Sequence, residues 1–281
     1  MRVIHMKDDF IVLCKEIKEI GPFEAYKRYT MKYPELFDEI LEGLYMTELD
    51  NLKPMIESID YQRNLETAQK NYRNGIPEKV CNIAKKVIKI LDFYQEFDIY
   101  FGLELGNING FSGPNLNGRP FIYIGLDIEL EESSINYLIP HEINHMIRIN
   151  AIKDIDMFDF QERVISEGLG VYCPIVLNNL EFTVNTISSV LNLSIKEVVK
   201  LNNNVEFLIN KVAGEFGSKL THEKMSEYFT WSQSDSDGKY LLSGYYVGMI
   251  IIRRLVEKGY NISELTITPS NVIWERYNSF F

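Results

Sequence analysis

The chain has 281 residues, 46% hydrophobic and 25% charged. That composition is ordinary for a globular protein, and the length suffices for one large domain or two modest ones with a sizeable core. Its 29 basic and 40 acidic residues leave a net charge of −11, which argues against sequence-independent nucleic-acid binding and against electrostatic attraction to anionic lipid.

The N-terminal stretch MRVIHMKDDFIVLCKEIKEI interrupts its apolar positions with charges, so it has no h-region of a signal peptide. No run approaches the roughly 18 apolar residues of a membrane span. Cys14, Cys81 and Cys173 are odd in number and far apart, the usage of reduced core cysteines. A cytoplasmic protein is the default expectation.

Residues 7–74 are expected to be helical, because Phe10, Leu13, Cys14, Ile17 and Ile20 recur at intervals of three and four. Gly21-Pro22 punctuates the pattern, and Pro34 opens a further helix through Leu36, Phe37, Ile40, Leu41 and Leu44. Asn74-Gly75-Ile76-Pro77 is a stop signal. It divides an N-terminal helical region, residues 1–75, from a second domain, residues 76–281.

A helix from Pro77 to about Phe93 is followed by a change of character. Asp98–Leu105 and Phe121–Ile128 are rich in β-formers and are expected as two strands of a small sheet, with a turn-rich loop over Gly106–Pro120 between them. The second strand is a candidate edge on which an extended substrate could pair. A wholly internal strand is the equal alternative.

Downstream of the sheet stands NYLIPHEINHMIRIN, which holds His141, Glu142 and His145 in the pattern His-Glu-x-x-His. Residues four apart on a helix share a face, so the two imidazoles can converge on one cation. Zinc suits them, taking three protein ligands at a catalytic site and leaving a position for water. Glu142 is placed to act as general base on that water and then as acid. The alternative is a solvated helix with ordinary surface histidines. Against it stand Tyr137, Leu138, Ile139, Ile143, Met146, Ile147 and Ile149, which surround the motif with apolar side chains.

A polar connection over residues 153–159 leads to QERVISEGLGVYCPIVL, where Glu167 is a lone carboxylate among apolar neighbours. Such a group needs a partner. A zinc on His141 and His145 supplies one, which makes Glu167 the third ligand. The other possibility is a buried carboxylate paired with Arg163 or Arg148. Gly168 and Gly170 each weaken a helix by about 1 kcal/mol relative to alanine, and a close crossing with the motif helix would explain them.

Residues 178–230 are expected to be mainly helical, with a Ser194-x-x-Glu197 capping box. Ser234–Gly238 hints at a calcium loop, but the twelfth position falls on Gly244, so the pattern fails and a solvated turn is expected. The last strong helix spans residues 240–258, with Gly244 and Gly248 forming one small face. Tyr245 or Tyr246 on it is a candidate donor to the oxyanion of a peptide hydrolysis, although aromatic residues at helical spacing are more often core. The aromatic C-terminal TPSNVIWERYNSFF is expected to pack back onto the domain.

HEINH followed by SEGLG resembles the gluzincin arrangement, in which two motif histidines and a glutamate on the next helix bind zinc. The order RPFIYIGLDI, HEINH, ISEGLGVY, SGYYVGMIIIRRL, over residues 75–260, is similar to the bacterial YjaZ-like group of predicted zinc-dependent proteases. The resemblance implies a mostly helical α+β, zincin-like fold, with a small sheet upstream of the motif helix and a helical C-terminal subdomain. It further implies a zinc metallopeptidase that takes peptide or protein substrates, with His141, His145 and Glu167 on the metal and Glu142 catalytic. His222 could donate in the transition state by the same analogy, but THEK is polar throughout and points to the surface. Thermolysin-like enzymes often place an acidic residue where Val171 stands, a departure that leaves the first histidine without an obvious orienting partner. A zinc hydrolase of a non-peptide amide, and a zinc-binding regulatory protein with little turnover, are the other classes open to this sequence.

Overall fold

The computed structural model describes residues 1–116, 118–230 and 240–281, and at Pro114 and Asn115 the backbone alone. The calcium-like stretch Ser234–Gly238 lies outside the described residues. No helix among those described is long and apolar enough to cross a membrane. Mostly helical with a small four-stranded sheet, the chain has an α+β fold.

The strands are β1 (Arg2–His5), β2 (Asp98–Gly102), β3 (Gly110–Leu116) and β4 (Arg119–Gly125). The first six helices are α1 (Lys7–Ile20), α2 (Pro22–Thr30), α3 (Pro34–Ile40), α4 (Lys53–Ser58), α5 (Tyr61–Arg73) and α6 (Ile76–Ile90). Then come α7 (Glu132–Ala151), α8 (Phe160–Leu177), α9 (Val184–Leu191), α10 (Ile195–Asn202), α11 (Val205–Ala213) and α12 (His222–Tyr228). The last are α13 (Ser243–Glu257), α14 (Ile262–Thr266) and α15 (Ser270–Asn278). Helix starts follow local chemistry: Pro22 and Pro34 open α2 and α3, and the Ser194 hydroxyl accepts the Glu197 N–H at 3.2 Å, as the capping box requires.

Two compact units divide the chain, residues 1–88 with 93–146 and residues 89–92 with 147–281. In the first, the sheet runs in the order β1-β2-β4-β3, with β1, β2 and β4 parallel and β3 antiparallel to β4. Phe121, Ile122, Tyr123 and Ile124 are all fully buried. A strand with no polar face is one covered on both sides.

This corrects two expectations. The Phe121–Ile128 segment is not the edge strand, since β4 pairs with β2 on one side and β3 on the other. Nor is Gly106–Pro120 a plain loop, because Gly110–Leu116 within it is β3, the actual edge, and Arg119 already opens β4. Glycine, serine, proline and asparagine have low strand propensity, and pairing with β4 overrides it. A proline is tolerated there because an edge strand has one side that needs no ladder. Gly118, at φ +75°, lies between the two strands.

Beyond the end of β2, Glu104 is 1% exposed and accepts hydrogen bonds from the hydroxyls of Tyr26 (3.1 Å) and Tyr45 (2.9 Å). Its carboxyl is pushed up to about 7, chiefly by burial and also by Asp127, against the Leu105 N–H and the hydroxyls of Tyr45 and Tyr26. A carboxyl whose pKa is raised in the folded state contributes stability below its unfolded pKa and loses it as pH rises through the folded value.

In the second unit, α8 and α13 meet backbone to backbone. A Cβ on Gly168 would stand 2.2 Å from the carbonyl carbon of Gly248, and one on Gly248 would stand 2.0 Å from the Val164 carbonyl oxygen. The close approach expected at Gly168 is therefore to α13, where Gly248 fills the space, and its explanation as a crossing with the motif helix is corrected. One turn earlier, a Cβ on Gly244 would stand 2.7 Å from the Phe229 ring. The small face of α13 is thus used along its length. At the C-terminus, Trp274 of α15 packs edge-on to Phe216 with ring centroids 5.1 Å apart.

Two outcomes follow from these contacts. Gly248→Ala, whose methyl meets backbone that cannot rotate away, should cost about 3 kcal/mol in urea unfolding. Between pH 5 and 8, wild-type stability should decline relative to Glu104→Gln by on the order of 3 kcal/mol. Parallel pH profiles for the two proteins would contradict the second.

Candidate metal centre

Helix α7 carries the whole HEINH motif. Ile135, Ile139, Ile143 and Met146 are fully buried at spacings of three and four, so one face is held against the core and the rotation of the helix is set. That rotation places His141 and His145 together. Their Nε2 atoms are 2.9 Å apart, with ring planes at 90° and centroids 4.4 Å apart. His145 is 8% exposed and His141 half-buried.

Glu167 on α8 is 4% exposed, in a helix buried continuously from Val164 to Ile175. One donor atom from each of His141, His145 and Glu167 lies within 4.8 Å of the others. The set is chemically suited to zinc: two imidazoles and one carboxylate make a three-ligand site with room for a fourth position. The imidazole separation is close to the roughly 3.3 Å that two nitrogens keep on a tetrahedral zinc with Zn–N near 2.0–2.1 Å.

Both partners considered for Glu167 are resolved by the geometry. Arg163 Nε stands 3.0 Å from Glu167 Oε1, one turn away on the same helix, so the carboxylate faces this cation as well as the histidines. Arg148 pairs elsewhere. Fully buried, it donates from Nε and Nη2 to the two carboxylate oxygens of Glu162 at 2.5 and 2.8 Å, and from Nη1 to the carbonyls of Thr266 and Thr268 at 3.1 and 2.7 Å. Glu162 is a residue that sequence reasoning passed over. Its position in the first turn of α8, where the Asp159 side chain caps its N–H, looks like ordinary helix-start chemistry.

Glu142 is 6% exposed and lies against β3. The Ser112 hydroxyl donates to its Oε2 at 3.0 Å, and a Cβ on Gly110 would stand 2.8 Å from its Cγ. Neither residue was singled out from sequence. A glycine inside a strand is a signal of close approach, but it is legible only once Gly110–Leu116 is known to be a strand.

Tyr245 is half-buried on α13, edge-on to Phe229 at 5.6 Å between centroids. Tyr246 is 1% exposed, and its hydroxyl donates to Asn202 Oδ1 at 2.6 Å. His222 is exposed at the start of α12. Of the three cysteines, Cys173 is buried and Cys14 and Cys81 are half-buried, all as free thiols.

These features define a helical α+β protein with a His-His-Glu donor set beside a buried carboxylate. The family described as "Predicted Zn-dependent protease (DUF2268)" matches residues 105–275, more than half of the chain. The chain belongs to that family, whose description indicates zinc dependence. No curated protein and no solved structure matches it.

Arg148→Ala would strand Glu162 as a buried charge without its counter-ion. A loss of about 3–5 kcal/mol in urea unfolding is expected. A loss below about 1 kcal/mol would show that the pair does not hold α7 and α8 together.

Proposed function

We propose that the chain is a peptidase that hydrolyses peptide bonds with zinc held by His141, His145 and Glu167, in the manner of the gluzincins and of the bacterial YjaZ-like group. The observation that carries this reading is the approach of the three donor atoms to within 4.8 Å of one another, with Glu142 on the same helix as the two histidines. When bound, zinc polarises the substrate carbonyl and lowers the pKa of a water to about 7.

Glu142 takes the proton of the attacking water and returns it to the leaving amine. Arg163 holds the Glu167 carboxylate from the side of its own helix, the outer contact that orients a ligand. Tyr245 or Tyr246 of α13 supplies the hydrogen bond to the oxyanion; the Tyr246 hydroxyl donates to Asn202 Oδ1 in the resting protein. An extended peptide suits the free side of β3, because an edge strand offers main-chain donors and acceptors to an added strand. Support for that placement comes from the contacts of Gly110 and Ser112 with Glu142.

The test pairs metal analysis with a protease assay over diverse peptides. Wild type should bind about one zinc per chain, and His145→Ala should lose it. Glu142→Gln should keep the zinc and lose activity by roughly 10²–10⁴-fold, the contribution of a positioned general base. Full activity in Glu142→Gln would sink the proposed chemistry.

A further inference from the structure

We propose that Ser112 is a positioning residue for Glu142, and that the small face of β3 formed by Gly110 and Ser112 is the seat that fixes this carboxylate. The inference rests on the peptidase reading for what Glu142 does, and on the contacts below for how it is held.

Residues two apart along a strand share a face, so Gly110 and Ser112 both present toward α7. Each bounds a different oxygen of Glu142. The Ser112 hydroxyl donates to Oε2 at 3.0 Å in a buried contact. On the other side, a Cβ built on Gly110 would stand 2.9 Å from Oε1 and 2.8 Å from Cγ, and 2.9 Å from Leu138 Cδ1 one helical turn earlier. The strand therefore leaves a slot at Gly110 and a donor at Ser112.

A glutamate has three rotatable side-chain bonds, and a proton-transferring group works only within hydrogen-bond reach of its proton. Without a partner the Glu142 carboxylate would sample several rotamers. A directional bond from Ser112 to one oxygen, with the glycine slot confining the other, removes that freedom before substrate arrives. Because Ser112 acts through the Glu142 carboxylate, its effect should fall on turnover and not on zinc or substrate affinity.

The experiment measures kcat and KM on a quenched fluorescent peptide library for zinc-loaded wild type, Ser112→Ala and Ser112→Thr, with zinc content and melting temperature determined on each. Ser112→Ala is expected to keep its zinc, its melting temperature and a KM within about two-fold, while kcat falls roughly 10–100-fold, the range found when an outer partner of a site residue is removed. Ser112→Thr, which keeps the hydroxyl, should recover most of the loss. Gly110→Ala, which fills the slot, should lower kcat in the same way with zinc retained. An unchanged kcat in Ser112→Ala overturns the proposal, as does a loss that appears in zinc content or KM instead. A zinc-loaded wild type that cleaves nothing overturns the peptidase reading and this proposal with it, and it is distinguished by appearing in the wild-type arm alone.

Discussion

A fully buried guanidinium is intolerable unless its donors are satisfied, and Arg148 satisfies them with Glu162, Thr266 and Thr268. Arg148 lies three residues beyond His145 on α7, and Glu162 lies five before Glu167 on α8. The pair therefore joins the two helices that carry the candidate metal donors, at points about one turn from those donors. A bidentate ion pair of this kind is directional. It adds a directional constraint to the apolar face that sets the rotation of α7.

The backbone contact of Gly168 with Gly248 adds a second constraint on α8 from its other neighbour, α13. No side chain can enter that space, so the distance between the helices is set by main-chain van der Waals contact. Together with the ion pair, it keeps Glu167 in place within a helix where, from Glu162 to Ile175, all residues are buried but the half-buried Arg163. Glu142 is held in a different way, by the small residues of an edge strand. Charge pairing, close backbone packing and a strand face each serve one functional side chain.

Membership of a zinc-dependent protease family covers residues 105–275, a range that includes β3, β4, α7, α8 and α13. All the contacts argued for the centre fall inside it. Residues 1–104 lie before it, and contacts there such as those of Tyr26 and Tyr45 with Glu104 belong to the core of the first unit.

The sequence by itself determined the main helices, two of the four strands and the grouping of His141, His145 and Glu167 as candidate donors, because helical period, capping and a carboxylate stranded among apolar residues are written in neighbouring positions. It also placed the small face of α13 at Gly244 and Gly248. Only the tertiary structure decided which strand is the edge, which arginine meets which glutamate, what faces Gly168 and what holds Glu142. Each of those depends on partners distant in the chain: β3 on its pairing with β4, Gly168 on a residue 80 positions later, and Glu142 on one 30 positions earlier. Local propensity carries no information about such partners, and in β3 it pointed the other way, toward a loop, until pairing with β4 outweighed it.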